Sequence, residues 1–219
     1  MSLKVGFFDL DGLILDSEKI YFKFWKEAGM SLGYDLTDND YLKLRSCDSE
    51  LAKEFIAKKT DDENAYSRIR QLRKELMKKY LSNFCYELKE GVVEFLNDIA
   101  DLPFKKVIVT SSRIEEKKNI LYNLGVLKYF DLFIDVNDVK KGKPYPDIYK
   151  CAMAKIGVMP KDCIAFEDSP NGVESAFNAG ITVIMIPDLS KPTKIDQKRA
   201  IIFDDIKKSL PFLQNLITE

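Results

Sequence analysis

The chain has 219 residues, of which 46% are hydrophobic, so its length and composition suit one large domain or a core with a smaller insert. Its charges nearly cancel, with 34 Lys and Arg against 35 Asp and Glu, which argues against general binding to nucleic acid or to a membrane surface. It contains no histidine, so Ser-His-Asp and Cys-His relays are excluded, and proton transfer falls to carboxylates, Lys, Tyr, Cys or water.

Two further features of the sequence indicate a soluble, cytoplasmic protein. The chain leads directly into an apolar strand, without the basic leader and apolar core of a signal peptide, and no apolar run reaches the ~18 residues of a membrane-spanning helix. The four cysteines are widely and irregularly spaced, without a C-x-x-C pair, so neither a zinc site nor a disulfide scaffold is expected.

The first predicted element is a strand over residues 5–8, followed at once by two acids. The apolar run VGFF is typical of a strand that is buried on both faces. Asp9 and Asp11 come directly after it, two residues apart. Because two such carboxylates repel each other unless positive charge lies between them, the pair either occupies a solvated turn or holds a cation.

Residues 17–88 form a helical insert in this reading, because residues 17–83 contain no convincing strand. Apolar residues recur there at helical spacing, and Lys, Glu and Arg fill the positions between them, as in amphipathic helices. The positions that show this spacing most clearly are Ile20, Phe24, Trp25 and Ala28, and further along Leu51, Phe55 and Ile56.

From Gly91 onward, predicted helices and strands alternate. The predicted helices cover residues 92–100, 115–125, 146–157 and 171–180, and the predicted strands cover residues 106–110, 131–136, 163–166 and 182–186. Such alternation is typical of parallel β-α-β units with right-handed crossovers. We therefore predict an α/β fold, a doubly wound parallel sheet of Rossmann-like type. Residues 1–16 and 89–219 form its core, and the helical insert interrupts it.

Polar residues follow four of the predicted strands. Ligands of open parallel sheets bind outside the carboxyl ends of the strands, so these residues are expected to lie close together. The residues in question are Asp9 and Asp11 after the first strand, Thr110, Ser111 and Ser112 after the second, Lys143 past the third, and Glu167 and Asp168 after the fourth. Their convergence favours a cation site over a solvated turn.

The chemistry of these groups suits Mg²⁺ and a phosphate. Carboxylates, carbonyls and water are hard oxygen ligands of the kind that Mg²⁺ prefers, and the ion would offset the repulsion among Asp9, Glu167 and Asp168. Thr110 or Ser111 could donate hydrogen bonds to phosphate oxygens. A lysine such as Lys143 would add the positive charge that a metaphosphate-like transition state favours.

The two acids after the first strand suit covalent phosphoryl transfer. Asp9 could act as a nucleophile and form an aspartyl-phosphate. Asp11, on the same turn, could protonate the leaving alcohol and then activate water for the second step.

The same residues carry a family resemblance that covers nearly the whole chain. DLDGLILDSE resembles the DxDG signature of the haloacid dehalogenase-like hydrolase superfamily. VIVTSS, KGKPYPDIY and FEDSPNGVESAFNAG resemble its second, third and fourth motifs, in order and at ordinary spacing. The helical insert is similar to the cap domain of the branch that contains phosphoglycolate phosphatase, β-phosphoglucomutase and small sugar-phosphate phosphatases.

The resemblance implies roles for individual residues. Asp9 is the nucleophile and Asp11 the general acid/base, and an aspartate at position 11 favours phosphate chemistry over dehalogenation. Lys143 matches the motif-three lysine, and Thr110 matches the motif-two hydroxyl, with Ser111 as the alternative register. The implied ligands of Mg²⁺ are the Asp9 side chain, the Asp11 backbone carbonyl, Glu167 and Asp168.

The expected function is that of a Mg²⁺-dependent phosphatase that acts as a monomer on a small phosphorylated metabolite, with no nucleic-acid or membrane partner. A phosphomutase is the close alternative, although β-phosphoglucomutases usually carry a histidine near position 21, where this chain has Tyr21. The usual glycine of the specificity loop is also replaced around Arg45. Within the helical insert, Lys43 and Arg45 are candidate contacts to the substrate.

Two alternatives belong to other functional classes. A phosphoacceptor signalling module also places acids, a Ser or Thr and a Lys at strand ends, but such modules are shorter, lack a helical insert and carry their phosphoaspartate elsewhere. A non-catalytic phosphate-binding protein is disfavoured because every expected catalytic group is present.

Overall fold

The computed structural model describes residues 3–218 and contains a six-stranded parallel sheet. The strands are β1 (Val5–Phe8), β2 (Lys105–Val109), β3 (Leu132–Ile134), β4 (Cys163–Glu167), β5 (Thr182–Met185) and β6 (Ile201–Ile202). Their order is β3-β2-β1-β4-β5-β6, so β1 lies in the middle between β2 and β4. The predicted fold class, a doubly wound parallel α/β sheet, is confirmed.

Ten α-helices accompany the sheet within the described residues. Four of them lie between β1 and the next core helix: α1 (Glu18–Ser31), α2 (Asp38–Leu42), α3 (Ser49–Thr60) and α4 (Ala65–Leu81). The others are α5 (Val92–Asp98), α6 (Lys118–Asn123), α7 (Asp147–Ile156), α8 (Pro170–Asn178), α9 (Asp196–Arg199) and α10 (Leu210–Thr218). Over residues 3–218, no helix combines the length and the apolar character that crossing a membrane requires.

Two differences from the predicted elements have local causes. The third strand ends at Ile134 rather than at residue 136, because Asp135 begins a 3₁₀ turn in which it and Asp138 accept each other's backbone N–H groups. The short strand β6 was not predicted. It contains two residues, and its register opposite β5 pairs Ile184 with Ile201. So short an apolar run carries no periodicity from which a strand could be inferred.

The sheet is buried on both faces, as the apolar run of β1 indicated. Phe8 stacks on Phe166 at a centroid distance of 4.7 Å on one face, where Phe95 of α5 also packs. Phe7 packs edge-on against Tyr149 of α7 on the other face. Successive side chains of a strand point to opposite faces, so Phe7 and Phe8 pack into the helical layers on opposite sides of the sheet. The rigid sheet thereby sets the position of the turn that follows β1.

The helical insert has its own apolar cluster, in which Trp25, Ile56 and Tyr66 pack together. It contacts the core through Asp48, the residue that caps α3. The Asp48 Oδ1 atom accepts hydrogen bonds from the first backbone N–H groups of α3, and its Oδ2 atom accepts one from Gly142 N at 2.8 Å. Asp48 N in turn donates to Lys143 O at 2.6 Å. The insert is thus tied to the loop that carries Lys143. Its assignment as a separate domain over residues 17–88 stays a prediction.

Candidate active site

The carboxyl ends of β1 and β4 bring three acids and one lysine together. We call Asp9, Lys143, Glu167 and Asp168 the strand-end cluster; all four are at most 1% exposed. Asp9 N donates to Phe166 O at 3.0 Å, which holds the turn after β1 beside the end of β4. The structure therefore assembles side chains that lie far apart in the chain, as the rule for parallel sheets predicts.

Lys143 lies at the centre of the strand-end cluster. Its Nζ atom donates to Asp9 Oδ1 at 2.5 Å and to the Val109 carbonyl at 3.1 Å, and it lies 2.7 Å from Glu167 Oε1. Burial alone would lower the pKa of this ammonium, but Asp9 and Glu167 outweigh that effect and raise it. Lys143 is therefore held as a cation and provides positive charge between the two carboxylates.

Two acids of the cluster, Asp9 and Asp168, have raised pKa values because they are buried. Burial, with Glu167 and Asp11 nearby, raises the pKa of Asp9 to about 8 against the opposing effect of Lys143. Burial likewise raises the pKa of Asp168 well above its ordinary value, although Arg45 opposes the shift. So much negative charge in a dry site is unfavourable unless further positive charge is supplied.

The free oxygen atoms of the cluster fit a metal cation. Asp9 Oδ2, Glu167 Oε2 and Asp168 Oδ1 are buried and have no hydrogen-bond partner in the part of the chain that the structure describes. One carboxylate oxygen of each residue lies within 4.8 Å of the others, a spacing at which one cation can contact all three. A set of three buried carboxylate oxygens is the donor type that hard divalent cations prefer.

Two glycines leave room for the acids of the cluster. Gly12 has a φ of +91°, and a Cβ atom there would overlap the Asp168 carboxylate. A Cβ atom on Gly172 in α8 would overlap the Glu167 carboxylate. Ser169 starts α8 directly after the acidic pair, because its hydroxyl accepts the Gly172 N–H at 3.2 Å.

Asp11 lies beside the cluster and has a separate set of partners. Its Oδ1 atom accepts hydrogen bonds from Ser17 Oγ at 2.6 Å and from Lys117 Nζ at 3.0 Å, and its Oδ2 atom accepts one from Ser112 Oγ. Burial acts to raise the pKa of Asp11, but Lys117 and the two hydroxyls outweigh it, so the pKa is lowered. Asp9 and Asp11 therefore differ in pKa: that of Asp9 is raised and that of Asp11 is lowered.

The two candidate phosphate-binding hydroxyls stand at the end of β2. Thr110 Oγ1 already accepts the Ser112 N–H at 3.0 Å, whereas Ser111 Oγ is buried without a hydrogen-bond partner among the described residues, 3–218. Both residues line the same cavity as Asp9 and Asp11. Thr110 and Ser111 therefore both remain candidates for the motif-two hydroxyl.

The two candidate substrate contacts of the helical insert lie in different places. Lys43 is exposed outside the cavity, with its Nζ atom 5.2 Å from the centre of the Phe55 ring, so the structure does not bring it to the site. Arg45 does line the cavity, but its guanidinium is occupied by side chains of the helical insert and of the core. Its partners are Glu18 at 3.1 Å, Ser190 at 3.1 Å, Asp188 at 3.4 Å, and Asp168.

The sequence reasoning missed Lys117, which is 4% exposed and contacts Asp11. The sequence signal that could have identified Lys117 was its position among the buried apolar residues of this segment. Lys117 lies three residues after Ile114 and four before Leu121, both of which are buried, so a lysine occupies the apolar face of this segment. A lysine at such a position either reaches solvent along its stem or has a buried partner.

A cavity of about 380 Å³ lies between the strand ends and the helical insert. Core residues such as Asp9, Asp11 and Thr110 line one side, and residues of α1 and α4, including Trp25 and Arg73, line the other. This volume is at the lower end of the range for small-molecule sites.

Comparisons with known proteins agree with this geometry. A sequence model of the family described as haloacid dehalogenase-like hydrolase matches residues 7–186. A phosphorylated carbohydrates phosphatase from Thermotoga maritima is 30% identical over 178 residues, covering 80% of this chain and 80% of that protein. A beta-phosphoglucomutase from Bacillus subtilis is 29% identical over 188 residues, covering 83% and 82%. Among solved structures, a hydrolase from Pseudomonas syringae matches with a TM-score of 0.80 at 22% identity, covering 97% and 98%.

Proposed function

Because the chain belongs to the haloacid dehalogenase-like hydrolase family, we propose that it is a Mg²⁺-dependent phosphatase that hydrolyses a small phosphomonoester through an aspartyl-phosphate on Asp9. The observation that carries the proposal is the set of three free carboxylate oxygens on Asp9, Glu167 and Asp168 beside a buried lysine. In this proposal the protein acts as a monomer on a phosphorylated sugar or a similar metabolite. The names of the two curated relatives support that substrate class.

In the first step, a carboxylate oxygen of Asp9 attacks the phosphorus atom of the substrate. The bond from phosphorus to the leaving oxygen breaks, and Asp11 gives that oxygen a proton, so an alcohol leaves and an aspartyl-phosphate remains. Lys143 and the hydroxyl of Thr110 or Ser111 hold the phosphate oxygens. Asp9, Glu167, Asp168 and the Asp11 carbonyl would hold Mg²⁺, which would supply positive charge that offsets the charge of the transferred group.

In the second step, Asp11 takes a proton from a water molecule, which attacks the phosphorus atom of the aspartyl-phosphate. The bond between phosphorus and the Asp9 oxygen breaks, and phosphate leaves with the Asp9 carboxylate restored. The helical insert, which covers the cavity, limits access of bulk water before the phosphoenzyme has formed.

A phosphomutase is the second candidate, because one curated relative is named a beta-phosphoglucomutase. A mutase would keep its bound product and return the phosphate to a different hydroxyl. Tyr21 and the absence of histidine from the chain favour the phosphatase.

The experiment that tests the proposed function is phosphate release from a panel of substrates. The panel contains sugar phosphates, phosphoglycolate, nucleotides and an aryl phosphate, each with Mg²⁺ and with EDTA. We expect release that requires Mg²⁺ and that is fastest with one sugar phosphate or a related metabolite. No release from any substrate by the folded protein would contradict phosphatase activity. Conversion of β-glucose 1-phosphate to glucose 6-phosphate without net release would identify a mutase.

Replacing Asp11 with asparagine is expected to slow hydrolysis of sugar phosphates by about 10²–10⁴-fold, the usual contribution of general acid–base catalysis. The burst of phenolate from an aryl phosphate should fall much less, because a good leaving group departs without a proton. Rapid-quench kinetics on both substrates measures this difference. Asp35→Asn, at an exposed position, serves as the control. An Asp11→Asn variant with unchanged turnover would argue against an acid–base role for Asp11.

Mg²⁺ is expected to raise the melting temperature of the protein by several degrees. Binding at 100 times the Kd stabilises the folded state by about 2.7 kcal/mol. Each kcal/mol shifts the melting temperature of a chain of this size by about 2–4 °C. Scanning calorimetry with Mg²⁺ and with EDTA measures the shift. Asp168→Asn should reduce or abolish it, whereas the exposed Asp101→Asn should leave it intact. An equal shift in both variants would place the ion elsewhere.

A further inference from the structure

Lys117 is a buried cation whose charge is directed at one carboxylate. Its Nζ atom lies 3.0 Å from Asp11 Oδ1, and within residues 3–218 Asp11 is its only ion-pair partner. Its side chain is 5% exposed. An apolar side chain could fill this position between Ile114 and Leu121 without the cost of burying an ammonium group. Packing therefore does not account for a lysine here.

Two aromatic rings hold the ammonium of Lys117 in place. Its Nζ atom lies 4.2 Å from the centre of the Tyr86 ring and 5.1 Å from that of Tyr21, distances at which a cation is attracted to an aromatic face. Tyr21 belongs to α1, and Tyr86 belongs to the segment that leads from α4 back to α5. Two segments therefore hold the ammonium: α1, at the start of the helical insert, and the segment that returns from the insert to the core.

The hydrogen bonds around Asp11 distinguish its two oxygen atoms. Oδ1 accepts from both Lys117 and Ser17, and an ammonium group can donate but cannot accept. A proton on Oδ1 would face the Lys117 ammonium. Among residues 3–218, the hydrogen-bond partner of Oδ2 is Ser112 Oγ alone, a hydroxyl that can accept as well as donate. Ser112 and Lys117 both line the cavity, so the hydrogen-bond partners distinguish the two oxygens, and a proton on Asp11 is accommodated on Oδ2, beside Ser112.

We propose that Lys117 is a positioning residue for the acid–base steps: it holds Oδ1 of Asp11 and thereby assigns the transferred proton to Oδ2. This inference rests on the proposed phosphatase function. In the first step the Oδ2–H bond breaks as the bond from phosphorus to the leaving oxygen breaks, and the leaving oxygen takes the proton. In the second step Oδ2 takes a proton from the attacking water. Lys117 itself keeps all of its protons in both steps.

The test compares Lys117→Met with Lys117→Arg and with Lys118→Met. Lys118 is an exposed neighbour that pairs with Glu115, so its replacement controls for loss of a charge in the same helix. Single-turnover rates at saturating Mg²⁺ are measured with a sugar phosphate and with p-nitrophenyl phosphate. The sugar phosphate requires proton transfer to its leaving group, whereas p-nitrophenolate leaves without a proton.

We expect Lys117→Met to slow the sugar phosphate by about tenfold to a hundredfold, part of what general acid–base catalysis contributes. Its nitrophenolate burst should change by less than about threefold, and KM should be nearly unchanged, because the leaving-group proton contributes to the transition state rather than to binding. Lys117→Arg should recover most of the rate, since a guanidinium also donates to Oδ1. Lys118→Met should match the unmodified protein.

An equal loss on both substrates, or no loss on either, would overturn the inference, because a purely structural lysine would not distinguish leaving groups. If Lys117→Met does not fold, Tyr86→Leu tests the same contact by removing the ring beneath the ammonium. It should slow turnover of the sugar phosphate selectively, by a smaller factor than Lys117→Met does. An equal fractional loss of rate on both substrates would count against the inference. Failure of the proposed function is a separate result, namely no turnover of either substrate by the unmodified protein.

Discussion

Replacing Asp9 with asparagine is expected to reduce phosphatase activity by roughly 10⁴-fold or more, because an amide oxygen is a poor nucleophile toward phosphorus and no other residue can form the same intermediate. The fold should persist, since asparagine has nearly the same shape and its carbonyl oxygen can still accept the hydrogen bond from Lys143 Nζ. Steady-state phosphate release measures the loss, and circular dichroism checks the fold. Asp101→Asn, at an exposed position, is the matched control.

A second measurement on the same variant concerns the covalent intermediate. Acid quenching of the unmodified protein during turnover should trap a phosphate on the peptide that contains Asp9, and the Asp9→Asn variant should show none. Mass spectrometry of the digested protein reads this directly. A phosphorylated peptide that lacks Asp9, or residual activity above about one part in a hundred, would assign the nucleophile to another residue.

Replacing Lys143 with methionine is expected to destabilise the protein by about 3–5 kcal/mol, the usual effect of removing one partner from a buried ion pair. Methionine fills a similar volume, but it leaves Asp9 and Glu167 buried with no cation between them. Chemical denaturation with Mg²⁺ absent measures the effect. Lys140→Met removes an exposed lysine from the same loop and should change stability by less than about 0.5 kcal/mol.

The pH dependence of the Lys143→Met variant gives an independent check. Without the lysine, Asp9 is more easily accommodated as a neutral group, so its pKa in the folded state rises further above that in the unfolded state. A group with a raised folded pKa contributes stability at low pH that is lost as pH rises through that pKa. The loss of unfolding free energy that Lys143→Met causes should therefore grow with rising pH. A deficit that is constant with pH would show that packing, and not charge, causes it.

The fold could be predicted from the sequence because its signals are local. The helices and strands predicted between Gly91 and residue 186 each show a local apolar pattern, and alternation of the two implies parallel strands through short right-handed crossovers. The elements that differed from prediction lack such signals. The strand β6 has two residues, and β3 ends early because the side chains of Asp135 and Asp138 form a turn.

The strand-end residues could be predicted for a related reason. In a parallel sheet every strand points the same way, so a residue just past one strand end lies near a residue just past another, whatever their separation in the chain. This rule predicts from the sequence alone that Asp9, Lys143, Glu167 and Asp168 lie close together. The roles assigned to them remain predictions that the variants above test.

The sequence by itself determined the layer architecture and the chemistry available at the strand ends, because both follow from periodicity and strand direction. Only the tertiary structure decided which charges pair. It directs Arg45 to core acids, leaves Lys43 in solvent against Phe55, and sets Lys117 beside Asp11. These pairings depend on how the helical insert is oriented against the sheet and on which side of a helix meets the cavity. Helical spacing within the insert does not encode that orientation, since it arises from contacts between residues far apart in the chain.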